Sequence, residues 1–330
     1  MKNLVKKWFG ESRAKQKLDK VGCFGKLPTQ AEFLRLGMNT DAVANLERVL
    51  QTAFEQANRQ HPGVEIQPLQ LQDYFLIQQN EKSPALLGYF QDSIDMSGRE
   101  YPFVVFRQLQ GEDNVEKFSS LPAAFEEFLG KAQQLCQQDW KGKTNQDLQQ
   151  AIQTLQQQAE TLDRRAIENI AYKALIKTTY GDLWQQIMPA NMHVMPEAFL
   201  YSLAEGLRLQ GKAKNLQIIL PIGNANAGAQ VCFWVRIVEI LLGSQQKIKQ
   251  LFWQVNREQS KLMIQFGALT DAVLHDVLTH QQNNFVIVDP LQQLQVLPEE
   301  LREDYSIDAT TNLIEVIHFW ANMRREASHG

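Results

Sequence analysis

The sequence predicts an α+β protein made of two α/β units, the first an antiparallel sheet covered by helices, joined by a helical segment to a second, mixed α/β unit. Three observations predict it. Short β-rich runs follow one another between residues 71 and 109 with brief connections, which favours an antiparallel sheet. Helical periodicity then dominates from about 120 to 188, and from about 196 strand-like and helix-like runs return. At 330 residues the chain suits two domains, since a domain usually holds about 100–200 residues. The reading therefore divides it into a basic tail (1–20), an α+β domain (21–135), a helical connecting segment (136–195) and a C-terminal α/β domain (196–330).

The elements follow in order. Gly22–Leu27 is a short strand ended by Pro28. Ala42, Val43, Leu46, Val49, Leu50 and Phe54 recur at helical spacing, so about 40–60 is an amphipathic helix stopped near His61-Pro62-Gly63. Leu71–Gln78, Leu86–Gln91 and Tyr101–Leu109 are rich in aromatic and β-branched side chains and read as consecutive strands. The last two are joined by Asp95-Met96-Ser97-Gly98, a turn in which Gly98 supplies positive φ. This order resembles a longin or profilin sandwich at the level of fold alone, which licenses no function. Leu121–Cys136 is a helix, and Leu148, Ile152, Leu155, Ala159, Leu162 and Ala166 form a second stripe within a glutamine-rich stretch that keeps its period. In the last third, Glu197–Gln210, Lys247–Asn256, Asp271–His280 and Thr311–Ala327 read as helices. Leu216–Ile222, Gln230–Leu242, Leu262–Phe266 and Phe285–Val288 read as strands, and Gly223–Gly228 as a hairpin loop between the first two.

A hydrophobic content of 44% with 21% charged residues supports a buried core and argues against disorder. The net charge of −4 and the lack of a long basic stripe argue against nucleic-acid binding. Positive charge concentrates in the first twenty residues, seven Lys or Arg against Glu11 and Asp19. With Leu4, Val5, Trp8 and Phe9 beside Lys2, Lys6 and Lys7, this tail reads either as a solvated terminus or as a short amphipathic helix touching anionic lipid or an acidic partner. No secretory signal pattern or transmembrane run is expected. Cys23, Cys136 and Cys232 are odd in number and widely spaced, which fits reduced cytosolic thiols, and His275 and His280 fail the spacing of a helical zinc pair. Neither a metal nor a cofactor is expected.

Two segments carry the functional reading: Gly22-Cys23-Phe24-Gly25-Lys26-Leu27-Pro28, and Asp92 to Phe103, which contains Ser93, Asp95, Ser97, Gly98 and Arg99. The first is no phosphate loop, because its glycines are too close and Lys26 is followed by Leu27-Pro28 rather than Ser or Thr. Its Gly-x-x-Gly bends a strand end, with Phe24 and Leu27 as apolar anchors. In the second, a hydrolase would use Ser93 or Ser97 with Asp95, yet no histidine or lysine is near in sequence and neither serine lies on a nucleophile elbow. A structural account competes: Asp95 accepts turn N–H bonds, and Arg99 clamps Asp92 or Asp95. The pairs Phe233-Trp234, Phe252-Trp253 and Phe319-Trp320 read as core packing before interface anchors.

Gly25-Lys26-Leu27-Pro28 followed by Phe33, and Ser93-x-Asp95-x-x-Gly98-Arg99-x-x-Pro102, together resemble the TagF (ImpM-like) family of type VI secretion accessory proteins. The family's Gly-Asp-Phe reads Ala31-Glu32-Phe33 here, and Leu46-Glu47-Arg48-Val49-Leu50 stands where a Trp-rich helix motif is expected. Leu220-Pro221 and Phe252-Trp253 are weaker points of likeness. The resemblance implies a cytoplasmic, non-catalytic, post-translational repressor of a bacterial type VI secretion system that sequesters an assembly component, in related systems a forkhead-associated-domain scaffold. The expected partner surface is Phe24, Lys26, Leu27 and Pro28 with Asp92, Ser93, Asp95, Ser97, Gly98 and Arg99. The alternatives are a structural or adaptor subunit of the apparatus and the hydrolase using Ser93 and Asp95.

Overall fold

The computed structural model describes residues 19–329 apart from 38–39, 61–71, 80–82, 110–117, 160, 189–193, 244–245, 256–259 and 280–284. The basic tail expected at 1–20 lies, but for its last two residues, outside the described residues. The strands are β1 (Lys20–Gly25), β2 (Leu34–Leu36), β3 (Gln72–Ile77), β4 (Ala85–Gln91), β5 (Phe103–Leu109), β6 (Leu216–Pro221), β7 (Gln250–Gln254), β8 (Lys261–Gln265) and β9 (Val286–Val288). They form one sheet in the order β2-β1-β5-β4-β3-β7-β8-β6-β9. Neighbours pair antiparallel except β6 with β9, which is parallel. The mixed α+β class read from the sequence holds. The two strand groups are hydrogen-bonded to one another through β3 and β7, with Tyr74 opposite Trp253 and Leu76 opposite Leu251.

Successive side chains leave a strand on opposite faces, and here both faces are buried. Cys23, Leu76, Leu87, Tyr89, Phe103 and Val105 point into one core. Phe24, Phe75, Ile77, Leu86, Phe90, Val104 and Phe106 point into the other. That second core is closed by α1 (Asp41–Gln60) and α9 (Asp271–Thr279), which pack against each other and are tied by Gln56 Nε2 donating to Asp271 Oδ2 at 3.0 Å. On the first face lie α2 (Leu121–Ala124), α3 (Glu126–Gln137), α4 (Asn145–Gln158), α5 (Arg164–Lys177), α6 (Tyr180–Ile187), α7 (Pro196–Gln210), α8 (Ala227–Leu242) and α11 (Leu313–His329), while α10 (Arg302–Tyr305) packs on α7.

Three expectations are corrected. Gln230–Leu242 is not a strand but most of α8, which is packed among α2, α5, α7 and α11 and buried from Ala227 through Val235. A helix enclosed on all sides is apolar all round and loses its 3.6-residue signature, so its β-branched residues imitate a strand. The converse holds for Lys247–Asn256, where β7 replaces the expected helix. Leu251 and Trp253 enter one core and Phe252 the other, so a strand buried on both faces shows no alternation. Third, the stripe from Leu148 to Ala166 is two helices. α4 begins at a Thr144/Asp147 capping box, and α5 begins afresh where Asp163 accepts from Ala166 N at 2.8 Å.

Candidate functional site

The two motif segments, far apart in sequence, meet at the end of β1 and the start of β5. Gly25 closes β1 at φ 124°, and a Cβ on it would stand 2.1 Å from the carbonyl oxygen of Pro102, so only glycine lets the first segment lie against the second. From there the chain runs over Lys26-Leu27-Pro28 and returns as the edge strand β2.

The second segment is a tight loop between β4 and β5. Ile94 and Glu100 form a single antiparallel bridge. Asp95 N donates to Arg99 O at 3.0 Å, and Gly98 N donates to Asp95 O at 2.9 Å. Gly98 takes φ 82°, as the turn reading required.

Asp95 is the centre of this corner. Its side chain is buried, 2% exposed for the whole residue. Its Oδ1 accepts from Ser97 N at 2.9 Å, Ser97 Oγ at 2.7 Å and Arg99 N at 2.9 Å. Its Oδ2 accepts from Arg99 Nε at 2.8 Å and faces Lys26 Nζ at 3.2 Å. Burial pushes this carboxyl up, but the bonds from Ser97, the Arg99 backbone, Lys26 and the Arg99 side chain outweigh it and hold it well below the ordinary carboxylate range. Lys26 of the first segment thus neutralises the central carboxylate of the second. Two further bonds tie them: Met96 N donates to Gln30 O at 3.1 Å, and the Arg99 guanidinium donates to Ala31 O. Ala31, where the family pattern carries glycine, needs no left-handed backbone, since Asn226 is the only non-glycine at positive φ among the described residues.

This geometry assigns different positions to the residues singled out in the sequence. Phe24 and Leu27 are buried and Asp95 is enclosed. Lys26, Pro28, Asp92 and Ser93 are half-buried, and Ser97, Gly98 and Arg99 are exposed. Arg99 clamps Asp95, not Asp92, whose carboxyl is pushed up by burial. Sequence reasoning missed Ile94 and Met96, which flank Asp95 and stand 50% and 68% exposed. No local spacing signalled them, because they lie in the loop between β4 and β5 and not in a regular strand. As a catalytic arrangement the cluster is poor. A carboxylate held this firmly in its ionised form is a weak base toward Ser97.

Elsewhere, Gly223–Gly228 is a strand-to-helix turn leading into α8, not the expected hairpin loop. Its amides meet the chain's own side chains: Gly223 N donates to Gln230 Oε1 at 2.6 Å, Ala225 N to Gln186 Oε1 at 3.2 Å and Gly228 N to Glu126 Oε1 at 3.1 Å. All three cysteines are free and buried, with burial pushing the Cys23 and Cys232 thiols up to about 12. Phe233, Trp234, Phe252 and Trp253 are core residues, as is Trp320, whereas Phe319 is exposed. No helix among the described residues is long and apolar enough to cross a membrane.

The corner that joins Gly25-Lys26-Leu27-Pro28 to the Asp95 turn falls within residues 22–157, which match the family model described as the TagF N-terminal domain, type VI secretion system-associated. This stretch is similar to the TagF N-terminal domain. Both motif segments, the whole of α1, and the strands β2, β3, β4 and β5 lie inside the matched residues. Among solved structures, the chain is similar to PA0076 from Pseudomonas aeruginosa PAO1, at 13% identity and a TM-score of 0.47, over 84% of this chain and 100% of that one. No curated protein matches the chain.

Proposed function

We propose that this protein is a cytoplasmic, non-catalytic regulator of a bacterial type VI secretion system, a post-translational repressor that binds and sequesters an assembly component. The match to the TagF N-terminal domain supports the type VI association. One observation carries the binding reading: both oxygens of the Asp95 carboxylate are taken up in building a rigid turn, and that turn presents Ile94, Met96, Ser97 and Arg99 outward. A preordered loop loses little entropy on docking, and exposed apolar side chains beside an arginine are the composition of a protein-binding surface. Phe24, Leu27 and Asp95 support this surface from beneath, and Lys26, Pro28, Asp92, Ser93 and Gly98 shape it. Repression then follows from mass action, with a strength equal to the difference in affinity for the free and the assembled component. The partner we expect is a scaffold carrying a forkhead-associated domain.

The test is affinity capture from native cytoplasm with the wild type, a Met96→Asp/Ile94→Asp variant and Arg99→Ala, read by mass spectrometry alongside a secretion assay. The reading expects the wild type to recover an unassembled secretion component and to repress secretion, and the folded double variant to do neither. Recovery of the assembled apparatus instead would identify a structural or adaptor subunit. A double variant that still represses would remove this face from the mechanism.

A further inference from the structure

Beside the Asp95 corner lies an open cleft of about 550 Å³ between the middle of α1, the segment leading into β2 and the residues just before β5. Its wall is aromatic. Tyr101 meets Phe33 edge-on at 5.2 Å and Phe54 edge-on at 5.6 Å, and Phe33 is 36% exposed. Its rim is acidic: Glu47, Glu55 and Glu100 line the opening with Gln51. The two cations of the lining are already engaged, Lys26 by Asp95 at 3.2 Å and Arg35 by the Glu47 carboxylate. Glu55 shares its charge with the exposed Arg59 at 3.6 Å. Carboxylate is therefore in excess around three rings.

Arg35 shows how a guanidinium is held here. It stands 5.5 Å over the Phe33 ring while Nε donates to Glu47 Oε2 at 3.0 Å and a terminal nitrogen donates to Oε1. An aromatic face attracts a cation through its quadrupole, and a carboxylate accepts the planar fork of arginine in two bonds. The same pair of features continues into the cleft, with Tyr101 and Phe54 as rings and Glu55 and Glu100 as acceptors.

We propose that this cleft receives an arginine side chain from an extended basic segment of the protein partner. This rests on the reading that the partner docks at the Asp95 corner, because Lys26, Glu100 and Tyr101 belong both to the cleft and to the two motif segments. Charge complementarity selects the occupant: with Glu47 held by Arg35, an acidic segment would meet the exposed Glu55 and Glu100, and a purely apolar one would desolvate them without supplying a cation.

The probe is the peptide acetyl-Gly-Arg-Gly-amide, with its citrulline counterpart as the neutral isostere, titrated into the full chain and followed through the ring resonances of Phe33, Phe54 and Tyr101. The expected result is a saturable shift of those rings with the arginine peptide and none with citrulline. Glu55→Gln and Glu100→Gln, both at surface positions, should each weaken binding about threefold to fivefold while leaving the rest of the spectrum unchanged. Equal shifts with citrulline, no saturable shift at these rings, or undiminished binding by the Glu55→Gln/Glu100→Gln double variant would overturn the proposal. The peptide assay needs no secretion component. Peptide binding without capture of such a component would refute the regulatory reading and leave the cleft standing, and capture without peptide binding would do the reverse.

Discussion

Gly25→Ala puts the joint between the two motif segments to the test. The added Cβ would sit 2.1 Å from Pro102 O, 2.9 Å from Phe103 Cα and 3.0 Å from Pro102 C. All three are backbone atoms, so no rotamer change relieves the contact. β1 must move away from β5, beginning at the Phe24–Val104 pair. The φ of 124° adds strain of its own, because side chains with a Cβ rarely adopt it. Backbone strain of about 1–3 kcal/mol and overpacking of about 1–3 kcal/mol together give an expected loss of about 2–6 kcal/mol. Gly98→Ala is the internal control: it also has positive φ, 82°, but nothing lies within 4 Å of its Cβ position. It should lose only the backbone term, about 1–2 kcal/mol. Urea unfolding of both variants, monitored by tryptophan fluorescence, decides the matter. If Gly25→Ala costs no more than Gly98→Ala, the close approach of the two segments is wrong, and with it the single corner on which the site is built.

Other consequences can be checked separately. Because the Asp95 carboxyl is held below its unfolded value of about 4, the stability it provides is fully present above that pH and disappears as pH falls toward the folded value. Asp95→Asn should therefore be less stable than the wild type near pH 7, and the gap between their urea midpoints should narrow on acidification to about pH 3; a constant gap would contradict the assignment of Lys26 and Arg99 as its partners. Trp253→Ala removes the ring that stacks on Tyr74 at 5.5 Å across the β3–β7 seam and should cost about 3–5 kcal/mol in thermal or chemical unfolding. A fragment of residues 22–157 bares the β3 edge that pairs with β7 and should aggregate in size-exclusion chromatography, since an unpaired apolar edge recruits other strands. A monodisperse, folded fragment would show instead that residues 22–157 stand without the C-terminal half.

Much of the fold was legible because its elements carry periodic signals. The spacing of Val43, Leu46, Val49, Leu50 and Phe54 marks α1, and all five are buried in the core that α1 closes. The strand runs of β3, β4 and β5 are found within a few residues of their expected limits. What failed, failed for one physical reason. In α8 and β7 every face is covered, so neither the 3.6-residue nor the two-residue period survives in the apolar pattern. The three-residue β2 is too short to carry a pattern at all. At the site, the residue types and the turn around Gly98 could be read, because Asp, Ser, Gly and Arg at that spacing have few ways to satisfy one another. That Lys26 would reach Asp95, and that Ile94 and Met96 would stand outside, depends on how β1 and β5 align, and no local spacing encodes that.

On the proposed reading, the Asp95 corner is a charged cluster that serves recognition. A carboxylate that acts as a general acid or base exchanges a proton during the cycle, which favours a pKa near the working pH. Asp95 is driven the other way, by five contacts from five donor groups on three residues. The effect of that arrangement is geometric. Ser97, Gly98 and Arg99 are fixed relative to Lys26, and through Gln30 and Ala31 the loop is fixed relative to the segment that leads to Phe33. The turn and the aromatic cleft therefore form one preorganised surface, with Asp95 beneath one part and Tyr101 beneath the other. Substituting Asp95 should loosen both parts together, whereas substituting Met96 or Glu100 should weaken one contact at a time. A partner-binding cycle of Asp95→Asn with Glu100→Gln should accordingly be non-additive, and one of Met96→Asp with Glu100→Gln additive within about 0.5 kcal/mol.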